Sequence, residues 1–276
     1  MPILTLTTDF GLKDHFAGAV KGAIYSEMAD AKIVDISHNV SPFHITEAAY
    51  IIQNAYKNFP DGTIHIIGID SEQNPENQHI AVKLEGQYFI CANNGIMSMI
   101  TRTIVPEEVV EINIHDRIKT NFTELDVFVQ VACHIARGGT LGVIGKPIKE
   151  IKELTGIMPV VQNDQKGIKG NVIYVDNYGN VITNITRRLF EDVRKGRNFT
   201  IQARQASFKK IYQRYSDAIN FEVEKHKREE DGKKIALFNS SGYLELAIYK
   251  SNPSTVGSAS TLFGLDYRDA VSITFE

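Results

Sequence analysis

Cysteine is scarce in this chain. Cys91 and Cys133 are the only two in 276 residues. They are far apart and neither sits in a C-x-x-C pair, which argues against a disulfide framework and against a cysteine-ligated zinc site. Such usage suits a reducing compartment. No run of about 18 apolar residues occurs, so no membrane-spanning helix is expected. The first residues also lack a basic segment leading into an apolar stretch and a small-residue cleavage site, and a cytoplasmic protein is expected. A strong charge of one sign is missing too. The net charge of −3 gives no electrostatic reason to expect nucleic acid or an anionic membrane as a partner. What is present, 43% hydrophobic and 23% charged residues, is the composition of a globular chain able to bury a sizeable core. The length fits two domains better than one.

The stretch that organises the rest is Ile3-Leu4-Thr5-Leu6-Thr7-Thr8-Asp9-Phe10-Gly11, an apolar, β-rich run ending on a carboxylate and a glycine. Threonines and aliphatics favour a buried strand, and Gly11 permits a sharp turn. The small and apolar residues from Phe16 to Tyr25 suit a helix packed on a sheet. Asp9 then lies at the carboxyl end of a strand, where ligands of open α/β sheets bind. The alternative is an aspartate that caps the following turn or helix. Lys32–Ile36 reads as a second strand, Ile45–Phe59 as a helix stopped by Pro60-Asp61-Gly62, and Thr63–Ile69 as a third strand ending on Asp70. Ile80–Leu84 and Tyr88–Cys91 read as a hairpin, and Ile96–Thr103 as a short helical run after Ala92-Asn93-Asn94-Gly95. Thr123–Arg137 is a helix stopped by Gly138-Gly139, with His134 a packed or helix-end histidine. Alternating strands and helices predict a layered α/β domain with a mostly parallel central sheet.

Character changes after Gly142. Residues 142–167 read as connector, with domains at 1–158 and 159–276. Beyond the boundary the chain is β-rich: Gly170–Val175, Val181–Ile185, Phe199–Ile201, Ile235–Phe238, Tyr243–Ile248 and Val271–Phe275 predict a small C-terminal β-barrel. Glu222–Lys234 is a mixed-sign charge run, expected as a solvated loop or exposed helix. No internal repeat is visible.

Taken together, several motifs carry a resemblance that none carries alone. They are Thr8-Asp9-Phe10-Gly11 with Asp14, Ile33-Val34-Asp35-Ile36-Ser37-His38, Phe59-Pro60-Asp61-Gly62-Thr63 and Asn93-Asn94-Gly95 in the first half. In the second half they are Asp176-Asn177-Tyr178-Gly179-Asn180-Val181 with Thr183-Asn184, and Asn239-Ser240-Ser241-Gly242-Tyr243-Leu244. Their order and spacing resemble the S-adenosyl-L-methionine hydroxide adenosyltransferase family, relatives of fluorinase and chlorinase. The resemblance implies an α/β domain followed by a small β-barrel, and a homotrimer with sites between subunits. It implies S-adenosyl-L-methionine or adenosine as the small-molecule ligand, and no metal or other cofactor. Asp9 resembles the carboxylate that accepts hydrogen bonds from the ribose hydroxyls, and Asp176 the one that pairs with the methionine ammonium. Ser240 resembles a hydroxyl near the methionine carboxylate. Phe43, Tyr178 and Asn180 resemble residues that wall the ligand, and Asp14 and Asn94, in the matching motifs, are further candidate ligand-binding residues.

The departures fall on the nucleophile side. Relatives that use hydroxide carry an Asp-Arg-His arrangement around the attacking water. Here Asp70 remains, Asn77 stands at the Arg position and Thr123 at the His position, with Glu124 beside it. Losing Arg and His removes the cation and the imidazole that would prepare the water. Asp70 with Glu124 as a carboxylate base pair, or His79, would be the replacement. Two readings follow: hydrolysis of S-adenosyl-L-methionine to adenosine and L-methionine, or a weak or inactive trimeric protein that binds those ligands. A third, a different nucleoside reaction using Asp70 and Glu124, has no substrate named by the sequence.

Overall fold

The computed structural model describes residues 2–101, 104–118, 121–230 and 232–276. Contacts divide the chain into two compact units, Met1–Gly156 and Ile157–Glu276.

The first unit is built on seven strands: β1 (Ile3–Thr8), β2 (Lys32–Ser37), β3 (Ile64–Gly68), β4 (His79–Leu84), β5 (Gln87–Ala92), β6 (Glu108–Ile112) and β7 (Gly145–Pro147). They form one sheet in the order β2-β1-β3-β5-β4-β6-β7. Pairing is parallel from β2 to β5 and antiparallel from β5 to β7. The helices are α1 (Phe16–Glu27), α2 (Ile45–Ala55), α3 (Ile96–Thr101), α4 (Val129–Ala136) and the single turn α5 (Leu141–Ile144). The strand residues alternate between two apolar cores, as the period of two demands. Leu4, Leu6, Ile64 and Ile66 pack with Val20 and Ile24 of α1 and Val129 and Ala132 of α4. Ile67, Val82, Phe89 and Cys91 pack with Ala48 and Ile52 of α2 and Ile96 and Ile100 of α3. The result is a three-layer α/β/α arrangement in which β1, β2 and β3 end on one edge.

Some elements differ from the sequence expectation. The helix expected over 123–137 starts with a π-helical turn, Glu124–Phe128, before α4. The helix from Ile45 gives way to a 3₁₀ turn at Tyr56–Asn58. The last two positions of the run expected over Ile96–Thr103 lie outside the described residues. Residues 142–147 are not connector: they run through the end of α5 into β7, which completes the first sheet. Gly145 allows it, because a Cβ there would lie 2.4 Å from the Glu111 carbonyl of the neighbouring strand.

The second unit holds β8 (Val160–Val161), β9 (Gly167–Val175), β10 (Val181–Thr186), β11 (Phe199–Ala203), β12 (Ala206–Phe208), β13 (Lys234–Phe238), β14 (Tyr243–Ile248) and β15 (Ala270–Phe275). Its sheet runs β12-β11-β15-β9-β10-β14-β13, with β8 also on β9. Every pairing is antiparallel. The end strands β12 and β13 touch, so the sheet nearly closes into a barrel around Ile168, Val181, Leu244, Leu246, Val271 and Ile273. Two helices had no sequence expectation, α6 (Arg187–Arg194) and α7 (Ala259–Phe263). Thr186 caps α6, its hydroxyl accepting from Leu189 N–H at 3.2 Å. The charge run around Glu222–Lys234 forms an exposed 3₁₀ turn at Lys225–Lys227, apart from Asp231, which lies outside the described residues. No described helix is long and apolar enough to cross a membrane, and Cys91 and Cys133 are buried free thiols.

Candidate functional site

Three of the parallel strands bring the candidate residues of the first unit to their shared carboxyl edge. Asp9 follows β1 and its Oδ2 accepts the Phe43 N–H at 2.8 Å. That bond holds Phe43 in the left-handed region, φ +61°, an uncommon conformation for an aromatic residue, and the residue is 73% exposed. The loops after β1 and β2 are tied a second time where Gly11 N–H donates to the His38 carbonyl at 2.6 Å. Beneath them, buried Thr8 Oγ1 lies 2.7 Å from His38 Nδ1. His38 Nε2 is 3.2 Å from Asp35, which also pairs with Lys21 at 2.6 Å. The Asp-Ile-Ser-His motif therefore braces the strand end that carries Asp9. Asp14 is exposed just ahead of α1.

Glu124 reaches the same edge from the π-helical turn. Phe122, just before it, packs with Phe10 and Phe16 at ring separations of 5.5 Å each, which draws the turn against the end of β1. The Glu124 side chain crosses directly over Gly68. A Cβ on Gly68 would sit 2.8 Å from Glu124 Cγ, so only glycine leaves that path open. The carboxyl is buried, and burial raises its pKa above the usual carboxylate range; its own N–H opposes this and the charge of Asp9 adds to it. None of these influences is a cation. The carboxylate that Glu124 senses is Asp9, whereas Asp70 is exposed at the end of β3. Thr123, half-buried, starts the turn without capping it.

Asp70 is held through its backbone. Its φ is +45°, and four consecutive carbonyls around it are bound by side chains. Asn94 Nδ2 donates to Ile69 and Asp70 at 2.9 and 3.3 Å, and Asn77 Nδ2 donates to Asp70 and Glu72 at 2.9 and 3.1 Å. His79 Nε2–H donates to the Ser71 carbonyl at 2.7 Å. That leaves His79 Nδ1 to accept from His115 Nε2–H, also at 2.7 Å. Burial pushes His79 down to about 4, so the ring is neutral and fixed at both nitrogens. It holds the loop and is not free to swing. Asn94 Oδ1 accepts the Ile96 N–H at 3.1 Å, so the Asn-Asn-Gly motif pins the start of α3 to the end of β3. Asn77 Oδ1 is buried and unbonded among the described residues.

In the second unit, Asp176 closes the turn after β9. Its Oδ1 accepts the N–H groups of Tyr178 and Asn180 at 2.9 and 2.8 Å, and its Oδ2 accepts Asn180 Nδ2 at 3.0 Å. Gly179, at φ +73°, has no room for a side chain: a Cβ would lie 2.2 Å from Ser258 Oγ. Asn180 is buried, while Tyr178 is 67% exposed. Ser240 is exposed in the β13–β14 turn, whose shape is set by Asn239 Oδ1 accepting from Ser241 and Tyr243 N–H at 3.1 Å each. Glu245 of β14 had escaped the sequence reading. It is a buried carboxylate whose pKa is raised first by burial, with the Asp176 charge also raising it. The signal available was a single charged residue inside the apolar run Tyr243–Ile248. Among the described residues, no group of three or more His, Cys, Asp or Glu side chains could hold a metal ion.

Comparison with known proteins agrees across both units. A model of the SAM hydroxide adenosyltransferase N-terminal domain matches residues 4–145, and one of the C-terminal domain matches residues 170–272. The chain is 30% identical to a protein of Methanocaldococcus jannaschii named (R)-S-adenosyl-L-methionine hydrolase, covering 100% of this chain and 97% of that one. It is 24% identical to a fluorinase of Actinopolyspora mzabensis, covering 89% and 90%. Among solved structures, an uncharacterized conserved protein of Thermotoga maritima superposes with a TM-score of 0.83 at 26% identity, covering 99% of this chain and 100% of that one.

Proposed function

The chain belongs to the SAM hydroxide adenosyltransferase family, and on that premise we propose that it hydrolyses S-adenosyl-L-methionine to adenosine and L-methionine. The names of relatives point to the (R) sulfonium epimer as substrate. A sulfonium is already a good leaving group. The protein must hold C5′ in line with a water, exclude bulk solvent and take up one proton. The oxygen of water bonds to C5′ as the C5′–S bond breaks; its electron pair stays on sulfur, giving methionine. The proton goes to Glu124.

The observation that carries this reading is the buried Glu124 over Gly68, beside Asp9, with its proton affinity raised. A carboxylate with a raised pKa is a stronger base than an ordinary one, and general-base help of this kind is worth about 10²-fold to 10⁴-fold. Asp9 takes the ribose hydroxyls. Asp176, with Asn180 and Tyr178, takes the amino-acid end. This division calls for a homotrimer in which one subunit supplies the first group and its neighbour the second, and the exposed Phe43 and Tyr178 suit such cover. The test is incubation of pure protein with S-adenosyl-L-methionine from about pH 6 to about pH 9, with separation of products by chromatography. Adenosine and methionine in equal amounts are expected. No adenosine above a heat-killed control refutes hydrolysis.

One observation favours a second reading, a binding protein without turnover. Asn77, at the family's Arg position, spends its amide on two carbonyls of its own loop. Calorimetry separates the two: intact S-adenosyl-L-methionine recovered after saturable binding supports the binder.

A further inference from the structure

Glu245 lies outside every role assigned above. Along β14, Leu244, Leu246 and Ile248 point into the barrel core with Ala236 and Phe238. The intervening residues point to the other face, where Leu237, paired opposite Glu245, and Ala247 pack under Tyr212 and Ala218. Glu245 is therefore a carboxylate on a strand face that a covering segment seals. That is a costly place for an acid unless its oxygens are engaged. They are engaged by two loops. The Tyr215 hydroxyl donates to Glu245 Oε1 from the 3₁₀ turn Tyr215–Ala218. The Asn239 side-chain amide donates to the same carboxyl group. Because Asn239 Oδ1 is taken by Ser241 and Tyr243 N–H, fixing the amide fixes the whole Asn239–Gly242 turn, with Ser240 in it.

We propose that Glu245 is the positioning residue of the amino-acid end of the ligand: from the covered face of β14 it locks the Asn239 turn and so sets where Ser240 stands. The inference rests on the S-adenosyl-L-methionine reading of the site, and it extends that reading to a residue that need not touch the ligand. A ligand carrying both an α-carboxylate and an α-ammonium depends on Ser240 and Asp176 together. Adenosine alone depends on neither.

That difference supplies the test. Calorimetry with S-adenosyl-L-methionine and with adenosine is carried out on chains carrying Glu124→Gln, so that S-adenosyl-L-methionine is not consumed, with residue 245 as in wild type or carrying Glu245→Leu or Glu245→Gln. Leucine keeps the bulk but accepts no hydrogen bond, so S-adenosyl-L-methionine is expected to bind about tenfold more weakly while adenosine binds as it does with Glu245 in place. Glutamine can accept from Asn239 through Oε1 and donate to the Tyr215 oxygen through Nε2, so it is expected to restore most of the affinity. Should Glu245→Leu not fold, Tyr215→Phe, which removes one hydroxyl from a residue 42% exposed, is expected to weaken S-adenosyl-L-methionine alone by about threefold. Unchanged S-adenosyl-L-methionine affinity in the variant that folds, or equal weakening of both ligands, overturns the proposal. A chain with Glu245 in place that binds adenosine but not S-adenosyl-L-methionine overturns it as well. A chain with Glu245 in place that binds neither overturns the underlying reading of the site, and this inference with it.

Discussion

At the scale of single residues, the proposed role of Glu124 sets function against stability. Its carboxyl group has a higher proton affinity in the folded chain than in the unfolded one, chiefly because it is buried. The stability it contributes is therefore complete below the ordinary carboxylate range and is lost as pH rises through the raised value. Wherever the proposed base is ionised, its buried charge opposes folding. Glu124→Gln keeps the shape and removes the charge. It is expected to raise the thermal unfolding midpoint at neutral pH, with the advantage vanishing in acid, while lowering kcat by about 10²-fold or more. Unfolding scans at two pH values, beside the rate of adenosine release, check both halves. A variant that is less stable at neutral pH, or as active as wild type, contradicts the role.

At the scale of elements, the loop after β3 is shaped by side chains that arrive from far along the chain. Asn94→Ala would leave the Ile69 carbonyl and the Ile96 N–H without their side-chain partner, while the Asp70 carbonyl keeps Asn77. Leaving such buried groups unpaired costs on the order of 2 to 3 kcal/mol, readable as a shift of the denaturant midpoint with unchanged slope. That Asp9 and Asp70 end strands on a shared edge is legible, because apolar β-rich runs that alternate with helices put strand ends on one edge. That Asn94 and Asn77 serve the backbone of Asp70 is not, because those bonds join residues that no periodicity relates. Glu124 was legible as a candidate by position alone. Its burial depends on a π-helical turn and on the bare backbone of Gly68, neither of which has a pattern in the sequence. β7 was missed because three residues carry too little periodicity to be distinguished from a connector. Glu245 was absorbed into the apolar run of β14, although its charge was the clue.

At the scale of the whole molecule, the two units each present carboxylates on turns shaped in advance: Asp9 braced by the β2 loop, Asp176 bound into its own turn. The family reading makes these two halves of one ligand site completed between subunits. A particle of three chains is accordingly expected by sedimentation equilibrium, and a monomer that turns over substrate at high dilution contradicts that arrangement. The order of motifs made both units legible in the sequence, since each motif falls at a strand end or a turn where its residues have a local physical reason to be. The proposed sharing of one ligand between subunits has no such local signal.

On the proposed mechanism, water attacks C5′ of the bound ligand under the control of Glu124. It is tested most directly by running the reaction in heavy-oxygen water and weighing the products by mass spectrometry. The account predicts that the label enters the 5′-hydroxyl of adenosine, that methionine stays unlabelled, and that Glu124→Gln nearly abolishes the labelled product. Unlabelled adenosine, or a product cleaved at any bond other than C5′–S, would contradict it.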